Sequence, residues 1–423
     1  MKKLLALLLC LIPSFVFGQI YIEKQTRHRF AQLTLGLDVE TSFVGKSQYI
    51  NSDGGISPAS LSSNLTPRFL IGGTHFWGHA DFYIAIPLSS ASTDKDNQEI
   101  TAYRGVETIF KYYPWRIEQG KIRPFIGTSL APFYFEHQNN NFEYPNGPEL
   151  NQNAFPLLGG ITFNSKKHLF ELGMAWNYAN QRDYYISRDA IASITTPPIY
   201  TTLSYKYIID TTLGAEKGWE SGRTQEVTKK LAEQKRLNGF YIGAGLSAAF
   251  WLSESSYNQK ERPYIEKYST SIMLDITLGY YLNNSDINFA IGYRGYGTST
   301  STYGAVQVLN RKSFVAEATK YLFDYHGFVP FVGPAISYEK LSFNESFEGQ
   351  RTIDAADNQW AYGLTFGWDI RPNRLQGFIL RTNLRWYPNL FLTIDSESAV
   401  SFNNLEFNFI QLILYPNRIF KRK

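Results

Sequence analysis

Strict alternation of apolar and polar residues, held over nine residues or more, governs what this chain can fold into. Leu33, Leu35, Leu37 and Val39 alternate with Thr34, Gly36, Asp38 and Glu40. Phe170, Leu172, Met174, Trp176 and Tyr178 alternate with Glu171, Gly173, Ala175 and Asn177. The same pattern returns through Ile272, Leu274, Ile276 and Leu278, and through Tyr362, Leu364, Phe366 and Trp368. A period of two makes strands with one apolar and one polar face. A tilted strand crosses a hydrocarbon layer in about 9–11 residues, whereas average soluble strands run to about five or six.

About sixteen such segments begin near residues 29, 67, 80, 100, 122, 155, 168, 198, 239, 268, 286, 312, 328, 359, 375 and 402. Their connections alternate in length. Residues 78–79, 164–167, 282–285, 324–327 and 371–374 are short turns. Residues 46–66, 89–98, 138–153, 181–196, 253–267, 298–312, 344–358 and 393–401 are long and polar. Short turns on one side and long loops on the other are the habit of an outer-membrane β-barrel, the turns periplasmic and the loops outside. An even strand count puts both termini on the periplasmic side. The competing class, a soluble β-sandwich or propeller, has no reason to sort its loops this way.

The ends agree. Lys2 and Lys3 precede an apolar run over residues 4–17, and Gly18 offers a small residue before Gln19, so residues 1–18 read as a cleaved signal peptide. Cys10, the chain's one cysteine, lies inside it with a large residue before it, a poor lipidation site. Loss of the leader leaves no thiol for disulfide, metal or catalytic chemistry. It also lowers the formal charge from +4 by two lysines, which gives no electrostatic case for nucleic acid as a partner. Beyond the leader no run is long and apolar enough for a helical span.

A segment at 123–135, RPFIGTSLAPFYF, nearly recurs at 329–343, VPFVGPAISYEKLSF. Its neighbours recur in order: Asp81-Phe82 with Asn288-Phe289, Glu107 with Glu317, Lys111 with Lys320, Phe170-Glu171-Leu172 with Phe378-Ile379-Leu380. Residues 24–209 and 238–416 are therefore two copies of one eight-strand unit. A linker of residues 210–237 separates them, with a helix over 224–237, and a basic tail, 417–423, follows. The helix reads as a solvated connector; the alternative is a lumen plug or a partner contact.

Each copy resembles the OmpA/OmpX-like family of small outer-membrane barrels, in ETIFKYY at 107–113 followed by Pro124-Phe125-Ile126-Gly127, and in Pro330-Phe331-Val332-Gly333. The resemblance implies a transmembrane antiparallel β-barrel without catalytic residues. The chain departs from that pattern in its second copy and in the residues after Tyr415, where such barrels usually end on an aromatic residue.

Two closures are open: one 16-stranded barrel with an aqueous lumen, or two tandem 8-stranded barrels with packed interiors. Small inward residues (Gly127, Ser129 and Ala131; Gly333, Ala335 and Ser337; Gly243, Gly245 and Ser247) favour the narrow pair. A wide pore gives the duplication a distinct use, and the single 16-stranded barrel is the preferred reading.

Asp38, Glu40, Asp81, Glu107, Lys111, Glu171, Lys206, Asp275, Arg294, Glu317, Asp369, Arg381 and Arg385 fall on the polar face. They would either pair with one another inside a narrow barrel or line a channel. The six histidines are His28, His75, His79, His137, His168 and His326, and only His137 lies at the loop end, as a weak catalytic candidate. No metal, cofactor or nucleotide motif is present. The expectation is a non-enzymatic outer-membrane protein of a Gram-negative bacterium, a passive porin-like channel for small solutes in contact with membrane lipid. The alternative is a non-conducting structural or surface-binding barrel that docks another envelope component.

Overall fold

The computed structural model describes residues 31–42, 45–50, 55–61, 65–89, 92–95, 97–115, 120–209, 222–268, 271–325, 327–371 and 377–419. The leader with Cys10, His28, His326 and residues 420–423 lie outside the described residues.

The alternating segments become strands whose ladders close twice. In the first half these are β1 (Gln32–Ser42), β2 (Leu65–His75), β3 (Ala80–Pro87), β4 (Glu107–Tyr112), β5 (Ile122–Asn139), β6 (Leu157–Ser165), β7 (His168–Trp176) and β8 (Ile199–Ile209). Each pairs antiparallel with the next, and β8 returns to β1 from Leu33↔Ile209 to Ser42↔Tyr200. The second half holds β9 (Gly239–Trp251), β10 (Ser271–Leu282), β11 (Ile287–Thr302), β12 (Ala305–Tyr321), β13 (Phe328–Phe347), β14 (Gln350–Ile370), β15 (Phe378–Trp386) and β16 (Asn404–Leu414), with β9 paired to β16. The fold is thus all-β, two closed eight-stranded antiparallel barrels.

The preferred single 16-stranded closure is therefore corrected, and the tandem closure holds. The physical reason lies inside. Eight strands leave an interior just wide enough for side chains to fill, and each copy supplies small residues and matched charges for that space. Gly127 and Gly333 show how closely neighbouring strands approach in the wall. A Cβ at either position would strike the backbone of the strand before it, at Phe110 and at Ala318.

The ladders also correct the alignment of the copies. Tyr112 pairs with Ile126, one residue before Gly127; Lys320 pairs with Val332, one residue before Gly333. Lys320 thus stands where Tyr112 does and faces out, and the inward counterpart of Lys111 is Thr319. Glu107 and Glu317 are both buried but sit two residues apart along equivalent strands. A match of letters could not see this offset, because a one- or two-residue slip preserves composition while moving every contact.

Outside the barrels, the loops are structured. Gly45–Ile50, Ile56–Leu61, Gln181–Tyr185 and Ile191–Thr195 form a four-stranded sheet at the long-loop end of the first barrel. In the second, β11 to β14 run 16, 17, 20 and 21 residues, well past any hydrocarbon layer. The linker helix α1 (Gly222–Glu233) keeps Glu226, Val227, Lys229 and Lys230 exposed, so it plugs neither lumen with those side chains.

The seam is directly testable. Leu37 lies opposite Tyr205 on the outer face of β1 and β8, where directly opposed Cβ atoms are about 5 Å apart. Oxidation of the folded Leu37→Cys/Tyr205→Cys variant is expected to give an intramolecular disulfide, read by mass after protease digestion. Cysteines that stay reduced in folded protein contradict this closure.

Candidate functional site

Inward positions on strands of one barrel converge on an axis with no room for bulk water, so their charges must find each other. In the first barrel Arg68 donates from Nε and Nη2 to the two Asp38 oxygens at 2.8 and 2.7 Å. Its Nη1 reaches Glu107 and Glu40, each at 2.7 Å. Arg104 joins the same two glutamates. Toward the short-turn end, Lys111 meets Glu171 at 2.6 Å, and Lys206 meets Asp81 at 2.7 Å and Glu171 at 2.8 Å. Tyr113 donates to this carboxylate pair, and the Lys111 ammonium lies 4.3 Å from the ring centre of Phe125. Arg123 closes the bottom, donating to the carbonyl of Gly78 and lying over the Tyr113 ring.

The second barrel repeats the principle with other residues. Arg311 forks onto Glu339, both contacts at 2.9 Å, and reaches Glu406 at 2.9 Å. Arg294 also meets Glu406, at 2.8 Å. Arg385 bridges Asp275 at 2.5 Å and Glu317. Asp369 is held by Arg381 and Arg371, each at 2.7 Å, and by the Tyr321 hydroxyl. Below lies an aromatic floor that includes Tyr241, Tyr281, Phe331 and Tyr415. Above, α2 (Ser256–Glu261) and its loop fold into the mouth, where Tyr257 and Arg262 bind buried Glu345.

All thirteen charges read from the sequence are buried. Seven partners were missed: Arg68, Arg104, Arg123, Arg311, Glu339, Arg371 and Glu406. Two were legible. Extending the row Phe331, Gly333, Ala335, Ser337 by one step gives Glu339, and the outward pair Phe69 and Ile71 puts Arg68 inside. Arg311 and Arg371 lie in stretches whose polarity reads as loop and turn, because alternation alone does not mark where a strand ends.

Among the described residues, the first interior buries five acids (Asp38, Glu40, Asp81, Glu107, Glu171) and five bases (Arg68, Arg104, Lys111, Arg123, Lys206). The second sets Asp275, Glu317, Glu339, Glu345, Asp369 and Glu406 against Arg294, Arg311, Arg371, Arg381 and Arg385, and the sixth acid, Glu345, is met by the partly exposed Arg262 of the mouth loop. A void of about 20 Å³ beside Arg68 and Lys111 suffices for one water.

The barrels touch along their flanks and lock at the long-loop end. Phe82 packs on Phe409 and Trp368, with ring centres 4.8 and 5.6 Å apart. Arg188 crosses from the first half to Glu348 at 2.8 Å and donates to the Tyr303 carbonyl at 2.9 Å. Gly304, with φ +88°, leaves the space that this guanidinium fills. His137 is not an exposed base. It is buried, its Nε2 lies 2.5 Å from the Gln98 side-chain oxygen, and burial lowers its pKa to about 4. Among the described residues no group of three or more His, Cys, Asp or Glu could hold a metal ion.

The exterior is apolar. Ile272, Leu274, Ile276 and Leu278 face out along β10, and Tyr293, Phe314, Tyr338 and Trp360 form one row across β11 to β14, each opposite the next. No helix among the described residues is long and apolar enough to cross a membrane; a belt of this kind is how strands cross one.

No protein-family model matches the chain, and neither does any curated protein. Among solved structures, Neisserial surface protein A is 14% identical at TM-score 0.29, over 42% of this chain and 97% of that one. The attachment invasion locus protein Ail of Yersinia pestis is 12% identical at TM-score 0.27, over 42% and 96%. A FadL homologue of Pseudomonas aeruginosa is 9% identical at TM-score 0.20, over 95% and 94%. At this level of likeness the functional reading stands on the chain's own geometry, which is that of a transmembrane β-barrel protein.

Breaking one buried pair leaves uncompensated charge, at a cost of about 3–5 kcal/mol. Arg385→Met is therefore expected to lower the urea midpoint of the folded protein by that equivalent. The triple change Arg385→Met, Asp275→Asn, Glu317→Gln should recover most of the loss; equal losses would contradict pairing. For His137, the folded pKa lies below the ordinary 6.5, so the folded state resists protonation. Stability should fall as pH drops from about 6.5 to about 4, and His137→Gln should flatten that part of the thermal-midpoint profile. Identical profiles contradict the assignment.

Proposed function

We propose that this protein is a non-conducting twin barrel of the Gram-negative outer membrane, whose working surface is the joined platform at the long-loop end. The observation that carries this reading is the filling of both interiors by mutually neutralising side chains. A passive channel needs a hydrated path lined by charges that remain available to solutes. Here the charges that would have set selectivity are spent on each other.

The platform is where the chain invests its remaining structure. An extra four-stranded sheet, the long β11–β14 extensions and the Arg188 contacts tie two barrels into one outward face. Small outer-membrane barrels keep their periplasmic turns short and vary their outer loops, so this face supports docking of another envelope component. Among the described residues, no arrangement on it resembles a nucleophile with a positioned base.

Planar-bilayer recording of the purified, folded chain tests the reading. The expected result is a silent bilayer with protein shown to be folded by its heat-sensitive mobility on gels. Reproducible unitary steps would restore the channel.

A further inference from the structure

The lipid-facing surface of the second barrel changes abruptly one row above the aromatic belt. On the long-loop side of the row Tyr293, Phe314, Tyr338, Trp360, the next directly opposed residues are Gly295, Lys312, Lys340 and Asn358. Two lysines thus face each other across adjacent strands, both exposed. Directly opposed like charges destabilise a sheet, and among the described residues neither ammonium has a carboxylate partner.

Ordinary snorkelling explains one lysine at an interface, not this arrangement. Lys320, at the other end of β12, is such a residue: it faces out alone and donates to the Ser285 carbonyl. At the upper rim the two lysines are neighboured by glycine on one side and by an asparagine on the other. Gly295 sets no side chain of its own beside Lys312, and the Lys312 stem and the Tyr293 hydroxyl lie over it, each 3.6 Å from where a Cβ would stand. Asn310 and Ser342, one row further out, add neutral hydrogen-bonding groups.

We propose that this rim binds the phosphate of an outer-leaflet glycolipid, Lys312 and Lys340 sharing the anion while its acyl chains lie on the aromatic belt below. The occupant follows from position and charge. Aromatic belts mark the membrane–water interface, a phosphate at that height belongs to a lipid headgroup, and an anion between the lysines relieves their repulsion. The proposal rests on the orientation given above, with the long loops outside; it does not depend on whether the barrels conduct.

The test uses the full chain folded in zwitterionic detergent micelles, titrated with diphosphoryl lipid A and read by native mass spectrometry. At roughly 1 kcal/mol for each lysine near a charged lipid surface, Lys312→Gln/Lys340→Gln should weaken binding about thirtyfold. Lys320→Gln should leave it within about twofold. Lipid A stripped of its phosphates should bind like the double variant, and millimolar inorganic phosphate should not displace the intact lipid. In lipid-free micelles the double variant should be at least as stable as the parent, which separates lost binding from lost folding. Absence of binding to the parent chain, equal binding of parent and double variant, equal binding of the stripped lipid, or displacement by free phosphate overturns the proposal. A conductance measured in the planar bilayer would sink the non-conducting reading and leave these outcomes untouched.

Discussion

Everything in this structure depends on charge neutrality inside a space too narrow for bulk water. An ionised side chain taken from water costs several kcal/mol unless it is paired and hydrogen-bonded. In these barrels no inward charge can escape, because the walls are hydrogen-bonded ladders and the exterior is apolar. Glu171 is met by Lys111 and Lys206, and Glu406 by Arg294 and Arg311. Remove the pairing and neither interior can be dry; admit enough water and neither needs to be eight strands around.

That constraint explains why a duplicated chain closed twice. In a single sheet of sixteen strands Lys206 would stand five strands from Asp81, and Arg385 five from Asp275; the eight-strand closure brings each pair within three. Only a small circumference lets inward side chains from non-adjacent strands meet. The two copies reach the same end with different residues. Lysines and Tyr113 bind the lower carboxylates in the first barrel, while arginines and Tyr321 bind Asp369 in the second. What duplication preserved was the balance of charge more than its positions.

Much of this was legible in the sequence. Period two gave the strands, loop lengths gave the two ends, and the recurring Pro-Phe before Gly gave the repeat. Burial of Asp275 or Glu40 followed from alternation alone. What alternation cannot give is the diameter. A strand's own pattern is identical whether its partner is the next strand or the eighth, so closure depends on which edges meet, a property of register. Strand ends were equally hidden: Arg311 lies six residues into β12, in a stretch whose polarity reads as loop, and it forks onto Glu339. The platform is hidden for a related reason: Gln181–Tyr185 and Ile191–Thr195 form a local hairpin inside a polar loop, and that hairpin joins Gly45–Ile50 from a loop far earlier in the chain.

Self-sufficiency of each neutral interior is the central claim, and separating the halves measures it most directly. Residues 24–209, produced alone and folded into phosphatidylcholine vesicles, are predicted to migrate on gels as a compact species that heating converts to the unfolded mobility. A half-chain that stays unfolded under conditions where the full chain folds, and folds only when residues 238–416 are added, would contradict the account.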